Sequence, residues 1–255
     1  MNLLLDFGNT RLKWACSETV ADSGTAGSRI LQRGVLDYDA PVIATWVAQL
    51  CALDIAKVVF ASVVSAERES QVFATLAPAI PDPIRFGVMP QDGVLLNGYA
   101  TQNTLGVDRW AAAIGAWGLF GQPCLIVGSG TATIIDLIDV TSAGNPIYRG
   151  GLILPGMDLM LQSLHERTAR LPQAEGSYRA APDVPDNTHD ALISGAIEAT
   201  CGAIERMGRR LPDDAPWLLT GGNAHRLLSA LGGNALVVDD LVLEGLAISA
   251  QLVEQ

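Results

Sequence analysis

The length, composition and charge of this 255-residue chain favour a globular protein and argue against one that binds nucleic acid. With 49% hydrophobic and 17% charged residues, the chain can fill a sizeable core. Its 27 acidic and 16 basic side chains give a net charge of −11, and only Lys13 and Lys57 are lysines. A protein that grips nucleic acid needs a basic surface to replace phosphate counterions. We therefore expect no nucleic-acid partner.

The chain also lacks the patterns of a membrane anchor and of a disulfide framework. Asp6 interrupts the opening apolar run, which has no basic residues before it, so we expect no signal peptide. No apolar run approaches the roughly 18 residues that a membrane-spanning helix needs. The cysteines are widely spaced, without a CxxC pair: Cys16, Cys51, Cys124 and Cys201. We interpret them as buried or inert thiols of a protein in the reducing cytoplasm.

The first half mixes apolar runs and helical patterns, as in an α/β protein. Four segments predict strands: Leu3–Phe7, Arg11–Cys16, Ile30–Leu36 and Lys57–Ser62. Three others predict helices: Val42–Cys51, Ala66–Leu76 and, after a loop at 97–104, Trp110–Leu119. Gly8 and Asn9 lie between the first two strands, where residues that tolerate positive φ favour a hairpin turn.

The second half repeats the opening pattern. Strands are predicted at Leu125–Val127, Thr131–Ile138, Ile147–Leu154 and Trp217–Thr220, and a helix at Met157–Thr168. After a loop-like segment at 171–187, Thr188 is the expected N-cap of the longest helix, whose apolar residues recur with a period of 3.6. Gly195 and Gly202 lie on nearly one face of that helix, which indicates close packing against another element.

The spacing of the two glycine turns suggests an internal duplication. Gly8 and Gly130 are 122 residues apart, close to half the chain, and each follows an apolar strand. Two similar halves predict two domains, 1–118 and 119–255, with a cleft between the copies. No Gly/Ser-rich linker separates the halves, so we expect them to pack tightly.

The segment from Asp6 to Lys13 combines a strand, a carboxylate, a tight turn and a lysine. The backbone N–H groups of such a turn can hold phosphate oxygens, and the carboxylate can bind Mg²⁺, which prefers oxygen ligands. Lys13 could neutralise a terminal phosphate. An ordinary polar hairpin is the alternative for this segment taken alone.

A second segment, Gly106–Arg109, opens a helix. Asp108 falls in the first turn, where the helix dipole favours a carboxylate, and Arg109 offers a planar fork to an anionic substrate. One interpretation is a base beside a carboxylate clamp. The other is a helix-start Asp with a solvated Arg.

Two further glycine turns, Gly128–Thr133 and Thr220–Asn223, could cradle phosphate and lie against the base or ribose of a nucleotide. Neither a G-x-x-x-x-G-K-[ST] loop nor a G-x-G-x-x-G fingerprint is present, and no G-x-S-x-G sequence indicates a serine hydrolase. The histidines have no helical ligand pairs, so we expect surface or supporting roles for His165, His189 and His225.

The order of these motifs resembles that of the type III pantothenate kinases, a family that includes the Bvg accessory factors. The resemblance runs from residue 3 to about residue 247. Nine segments carry it: D-F-G-N-T-R-L-K (6–13), G-Y-A (98–100), G-V-D-R-W (106–110), G-T-A-T (130–133), G-G-L-I-L-P-G (150–156), R-T-A-R-L-P (167–172), N-T (187–188), T-G-G (220–222) and L-V-L-E-G-L (241–246).

The resemblance implies a duplicated α/β fold of the actin/hexokinase/Hsp70 (ribonuclease H-like) class with ATP bound between its domains. It also implies ATP-dependent phosphorylation of pantothenate to 4'-phosphopantothenate, with Mg²⁺, by a homodimer. By matching position, Asp108 would be the general base. The nucleotide-binding residues would be Asp6, Phe7, Gly8, Asn9, Thr10, Arg11, Leu12, Lys13 and Thr131, with Asp6 on Mg²⁺. The pantothenate site would hold Tyr99, Gly106, Val107, Asp108 and Arg109, with Thr188 approaching from the partner subunit.

One position departs from the family pattern. Many members have Asp where this chain has Gly128, and that Asp is associated with a bound K⁺ or NH₄⁺. Activation by a monovalent cation is usual in the family, and we expect it to be weaker here. Two alternatives to the kinase are a regulatory accessory protein on the same fold and a sugar or acetate-type kinase of the superfamily. Asp6, Lys13, Asp108 and Arg109 together favour the pantothenate kinase.

Overall fold

The computed structural model describes residues 1–22, 25–89 and 94–252 and divides the chain into two compact units. The first unit comprises Met1–Gly121 and Asp240–Gln255, and the second comprises Gln122–Asp239. The observed division after Gly121 lies close to the predicted one after residue 118. The C-terminal residues, which the prediction had grouped with the second half, belong to the first unit instead. Among the described residues, no helix has the length and apolar character needed to cross a bilayer.

The elements alternate along the chain as an α/β protein requires. The strands of the described residues are β1 (Asn2–Phe7), β2 (Arg11–Asp22), β3 (Thr25–Asp37), β4 (Lys57–Ser62), β5 (Ile84–Arg85), β6 (Leu96–Asn97), β7 (Cys124–Ser129), β8 (Ala132–Val140), β9 (Pro146–Pro155), β10 (Trp217–Thr220) and β11 (Ala235–Val237). The α-helices are α1 (Ala40–Leu50), α2 (Ala66–Leu76), α3 (Val107–Phe120), α4 (Met157–Arg167), α5 (Thr188–Gly208), α6 (Ala224–Ala230) and α7 (Leu241–Leu252). A 3₁₀ turn covers Gln102–Thr104.

Most predicted elements are present, and the differences lie at their ends. β7 extends to Ser129, which pairs with Thr133, so within the predicted turn Gly128–Thr133 only Gly130 and Thr131 lie outside the strands. The prediction that Thr188 caps the longest helix is wrong. The N-cap is Asn187, whose side-chain oxygen accepts a hydrogen bond from the backbone N–H of Asp190 at 2.9 Å, and Thr188 is the first helical residue.

The first unit is built on a sheet with the strand order β3-β2-β1-β4-β5. β1 is antiparallel to β2 and parallel to β4. Because side chains alternate between the faces of a strand, Leu3, Leu5 and Phe7 point into a core closed by α1 and α2. Leu4 points to the opposite face, which packs against α3 and α7. Asp6 has the same parity as Leu4 and lies on that second face.

Helices α3 and α7 approach so closely that glycine is required at their contact. A Cβ on Gly245 would lie 1.8 Å from the backbone oxygen of Ala111, and one on Gly115 would lie 2.3 Å from that of Leu241. Real Cβ atoms do not come so near to backbone oxygen, so any side chain would force the helices apart. This backbone contact fixes α7 within the first unit.

The second unit repeats the topology of the first. Its strands β9-β8-β7-β10-β11 follow the order of β3-β2-β1-β4-β5, with the same two antiparallel and two parallel pairings. Leu125, Val127 and Ile135 face a core closed by helices α4 to α6. The predicted duplication is therefore confirmed by strand order and direction. α7 follows β11 in the chain but packs in the first unit.

Gly195 and Gly202 have no close neighbour within the described chain, so the alternative that these glycines pack inside one chain is not supported. Both glycines are exposed on α5, and a Cβ at either position would have no described atom within 4 Å. No contact inside the described chain therefore requires glycine at these two places.

Candidate active site

Strand register brings the first two charged residues of the site together. Asp6 on β1 is the direct partner of Lys13 on β2, so their side chains share one face of the sheet. Helices α3 and α7 cover this face. Asp108 lies in the first turn of α3, and Asp240 directly precedes α7. The packing of the two helices thus brings one carboxylate from each helix start towards the Asp6–Lys13 pair.

Burial dominates the electrostatics of Asp6, whose side chain is part of the sheet face beneath the helices. It raises the pKa of Asp6 to about 7, and the negative charges of Asp108 and Asp240 push in the same direction. The ammonium of Lys13 lowers this pKa, with an effect that is smaller than that of burial but larger than that of either carboxylate. A bound cation would stabilise the ionised carboxylate, because opposite charge favours the charged form.

The turn between β1 and β2 is held from the protein side by two side chains. The hydroxyl of Tyr38 donates a hydrogen bond to the carbonyl oxygen of Gly8 at 2.7 Å. Arg68 donates to the carbonyl oxygen of Asn9 at 3.3 Å, and its guanidinium lies 4.9 Å from the centre of the Tyr38 ring. Carbonyl oxygens of the turn are therefore occupied by protein donors.

The predicted phosphate loop separates into exposed and buried residues. Asn9, Thr10 and Arg11 are exposed, and Arg11 pairs with Asp37 at 3.3 Å. Phe7 and Leu12 are fully buried in the core of the first unit. The side chains of Phe7 and Leu12 are thus committed to packing, and only their backbone groups could contact a phosphate.

The Gly106–Arg109 segment opens α3, as predicted, with Gly106 at the N-cap. The carboxylate of Asp108 accepts a hydrogen bond from the backbone N–H of Arg109 at 2.9 Å. Arg109 is 7% exposed, so the alternative of a solvated arginine is wrong. Its guanidinium donates to the hydroxyl of Tyr99 at 3.4 Å and lies 5.5 Å from the centre of that ring. Tyr99, Asp108 and Arg109 therefore form one polar group.

In the second unit, the β7–β8 turn contacts two other glycine-containing segments, one at Gly156 and one at Gly221. The N–H of Gly156 donates to the carbonyl of Thr131 at 2.9 Å. The N–H of Asn223 donates to the carbonyl of Ser129 at 3.2 Å, and a Cβ on Gly221 would lie 2.5 Å from that same oxygen. The predicted nucleotide segments Gly128–Thr133 and Thr220–Asn223 are therefore in direct contact.

The two hairpin turns differ in charge. Counted back from the last strand pair before each turn, Gly128 and Ile134 occupy the places that Asp6 and Lys13 occupy in the first unit. A Cβ on Gly128 would have only ordinary contact with Ile134, at 4.0 Å, so space is not what excludes a side chain there. The second turn therefore has no counterpart of the Asp6 carboxylate or the Lys13 ammonium at this strand pair.

Thr188 lies elsewhere in the second unit. It is exposed and lines a cavity of about 360 Å³, whose other lining residues include Met160, Leu164, Leu192 and Gly195. No other predicted site residue is among the residues that line this cavity.

No group of three or more metal-ligating side chains is present among the described residues. The histidines have ordinary roles: His165 lies 3.1 Å from the carbonyl oxygen of Leu171, and His189 accepts from the N–H of Glu175 at 3.3 Å. All four cysteines are free, and burial raises the pKa of Cys124 and Cys201 to about 12. The expectation of buried thiols holds for three of them, whereas Cys51 is exposed.

Comparison with known proteins assigns the chain to a family. The model of the type III pantothenate kinases matches residues 2–210. The chain belongs to this family. It is similar to the type III pantothenate kinase of Methylobacillus flagellatus, with 38% identity over 96% of this chain and 95% of the relative. It is 39% identical to that of an Azoarcus species, over 98% of this chain and 90% of the relative. The predicted family is therefore confirmed.

Solved structures support the predicted fold class. A Campylobacter jejuni protein of the Baf family of transcriptional activators matches with a TM-score of 0.61 and 19% identity, over 99% of this chain and 98% of that one. A 2-dehydro-3-deoxygalactonokinase protein from Sinorhizobium meliloti matches with a TM-score of 0.59 and 14% identity, over 99% of both chains. The predicted duplicated α/β fold is thus confirmed. At these identities the likeness concerns the fold alone and does not favour a regulatory function.

Sequence reasoning missed three residues that the structure places at the first turn: Tyr38, Arg68 and Asp240. Tyr38 and Arg68 come from segments without any motif. Asp240 directly precedes the L-V-L-E-G-L segment, but only the packing of α7 on the first sheet shows that it meets Lys13.

Proposed function

We propose that this protein transfers the γ-phosphoryl group of ATP to the primary hydroxyl of pantothenate and so forms 4'-phosphopantothenate, the first step towards coenzyme A. The observation that carries the proposal is the convergence of Asp6, Lys13 and Asp108 on one face of the first sheet, in a chain of the type III pantothenate kinase family. Phosphoryl transfer depends on positioning and charge neutralisation more than on covalent chemistry.

In this proposal Asp108 accepts the proton of the attacking hydroxyl. It lies in the first turn of α3, and one of its oxygens accepts a hydrogen bond from the backbone N–H of Arg109. Arg109 binds the carboxylate of pantothenate, oriented by Tyr99. Such a base contributes about 10²–10⁴-fold to a rate.

ATP binds to the first turn of the first unit. Exposed Asn9 and Thr10 offer hydrogen-bond donors, and the ammonium of Lys13 draws the terminal phosphates towards Asp6. Asp6 fits a role on Mg²⁺, because a buried carboxylate whose pKa is raised by its surroundings gains from a cation beside it. When bound with ATP, Mg²⁺ neutralises charge on the β- and γ-phosphates.

The residues at the second turn do not fit the monovalent-cation site expected of the family. Gly128 supplies no carboxylate and its strand partner is Ile134, so the charged ligand that the family pattern has at this position is missing. We therefore propose that monovalent cations activate this protein weakly.

We also propose a homodimer in which Thr188 approaches the pantothenate of the partner. A second copy could pack here, because Gly195 is exposed and has no side chain to hold it away. Gly195 also lines a cavity together with Thr188, Leu164 and Leu192. Light scattering should give twice the chain mass, and Gly195→Arg should give the monomer. A stable wild-type monomer at micromolar concentration would remove both the dimer and the role of Thr188.

Because ATP and reduced thiols belong to the cytoplasm, we assign the activity there.

A coupled assay of ADP release with pantothenate, ATP and Mg²⁺ tests the proposed function, with mass spectrometry of the product as the second readout. We expect pantothenate-dependent ADP release and a phosphopantothenate product. ADP release without pantothenate dependence, or no turnover with K⁺ and NH₄⁺ present, would contradict the proposal.

A further inference from the structure

The structure assigns a positioning role to Asp240: we propose that its carboxylate holds the ammonium of Lys13 in place to receive the phosphates of ATP. This inference rests on the proposed kinase function and adds to it a residue outside the segments that the family resemblance assigns to ATP or pantothenate. Asp240 acts through Lys13 and does not itself touch the substrate.

The geometry of the pair supports this role. The ammonium nitrogen of Lys13 lies 3.1 Å from Oδ1 of Asp240, and the side chains are 32% and 17% exposed. Lysine has a flexible four-carbon stem and three donor hydrogens. One donor is used on Asp240, so two remain for phosphate oxygens while the stem is confined to one arrangement.

The backbone holds Asp240 in an unusual conformation at the start of α7. Its φ is +54°, in the left-handed region that residues other than glycine, Asn and Asp avoid. Its carbonyl oxygen accepts the N–H of Glu244 at 3.1 Å, which joins it to the first turn of the helix. Gly245 in turn fixes that helix against α3. The carboxylate is thus carried by a rigid element.

A second cation compensates the charge of Asp240. Arg33 on β3 lies 3.7 Å from Oδ2 of Asp240 and 3.7 Å from Glu244. The group therefore contains two cations and two carboxylates. When Lys13 binds a phosphate, Arg33 still neutralises part of the negative charge of Asp240. The Asp240 carboxylate therefore repels the nucleotide less than an unpaired carboxylate would.

The test uses Asp240→Asn, because asparagine tolerates positive φ and keeps the shape while it removes the charge. We expect the KM and Kd for MgATP to rise about tenfold, as for the loss of a hydrogen bond to a charged group, with the KM for pantothenate nearly unchanged. Glu244→Gln is the matched control. It removes a charge from the same group without touching Lys13, and we expect less than a twofold change. Asp240→Gly, which also permits positive φ, should repeat the effect of Asp240→Asn and serves if that variant fails to fold.

A double-mutant cycle with Lys13→Met separates positioning from general damage. If Asp240 acts through Lys13, Asp240→Asn will add no further loss of MgATP affinity in the Lys13→Met background. An equal loss in both backgrounds, an unchanged or tighter MgATP affinity, or an equal rise in the KM of both substrates would overturn the proposal. MgATP binding is measured by calorimetry without pantothenate. A wild type that binds MgATP but does not phosphorylate pantothenate would therefore refute the kinase, while the affinities still decide the role of Asp240.

Discussion

Ionisation of the buried Asp6 carboxylate should lower the free energy of unfolding, and Asp6→Asn should remove this loss because asparagine carries no charge. Burial raises the pKa of Asp6 from 3.8 to about 7 in the folded protein. The folded state then holds this proton more tightly than the unfolded state, so the free energy of unfolding falls as pH rises from about 4 through about 7. The shift is about three pKa units at about 1.4 kcal/mol each, which amounts to a loss on the order of 4 kcal/mol above pH 7.

Urea unfolding followed by tryptophan fluorescence at pH 4.5 to 8 measures this effect, because Trp14 and Trp46 are in the core of the same unit. We expect the stability of Asp6→Asn relative to the wild type to rise steadily as the pH is raised from 4.5 to about 7 and then to level off. Asp37→Asn is the control, since Asp37 is an exposed carboxylate paired with Arg11, and it should show little pH-dependent difference. Parallel pH profiles for wild type and Asp6→Asn would refute the account of a buried, destabilising carboxylate.

Three further predictions follow from the geometry. Asp108→Asn should lower kcat by about 10²–10⁴-fold with little change in the KM for ATP, and a near-normal kcat in steady-state assays would reduce Asp108 to a helix-start residue. Gly128→Asp should sharpen the response of the enzyme to KCl, titrated against a bulky-cation salt at constant ionic strength, whereas tight K⁺ activation of the wild type would show that position 128 is not the determinant. Gly245→Ala should lower the free energy of unfolding by about 1–3 kcal/mol, measured in urea, because the added Cβ would clash with backbone. Gly118→Ala should lower it less, because its Cβ meets only the flexible end of Ile248. Equal stabilities of the two variants would contradict this packing.

Local patterns predicted the elements and the first half of the site. β4 and α2 begin and end at the predicted residues. Each is a short segment whose apolar pattern is interrupted at both ends by the loops that follow and precede it. The Asp6–Lys13 segment was found because a strand, a tight turn and a second strand are neighbours in the chain. Their register then follows from the hairpin itself.

Contacts between distant segments could not be predicted in this way. The C-terminal helix α7 completes the first unit because Gly245 and Gly115 allow backbone contact with α3, a fact that no local pattern contains. Asp240 meets Lys13 for the same reason, across 227 residues of chain. The cap of α5 was placed one residue late because Asn187 and Thr188 are both good capping residues, and only the backbone geometry distinguishes them.

The measurement that tests the central claim most directly is a single-turnover experiment with γ-labelled ATP, Mg²⁺ and excess enzyme, comparing wild type with Asp108→Asn. We predict that the wild type moves the label to pantothenate, and that the variant binds both substrates but transfers the label at least about a hundredfold more slowly. Equal transfer rates in the two proteins, or label released only to water, would contradict a pantothenate kinase that uses Asp108 as its base.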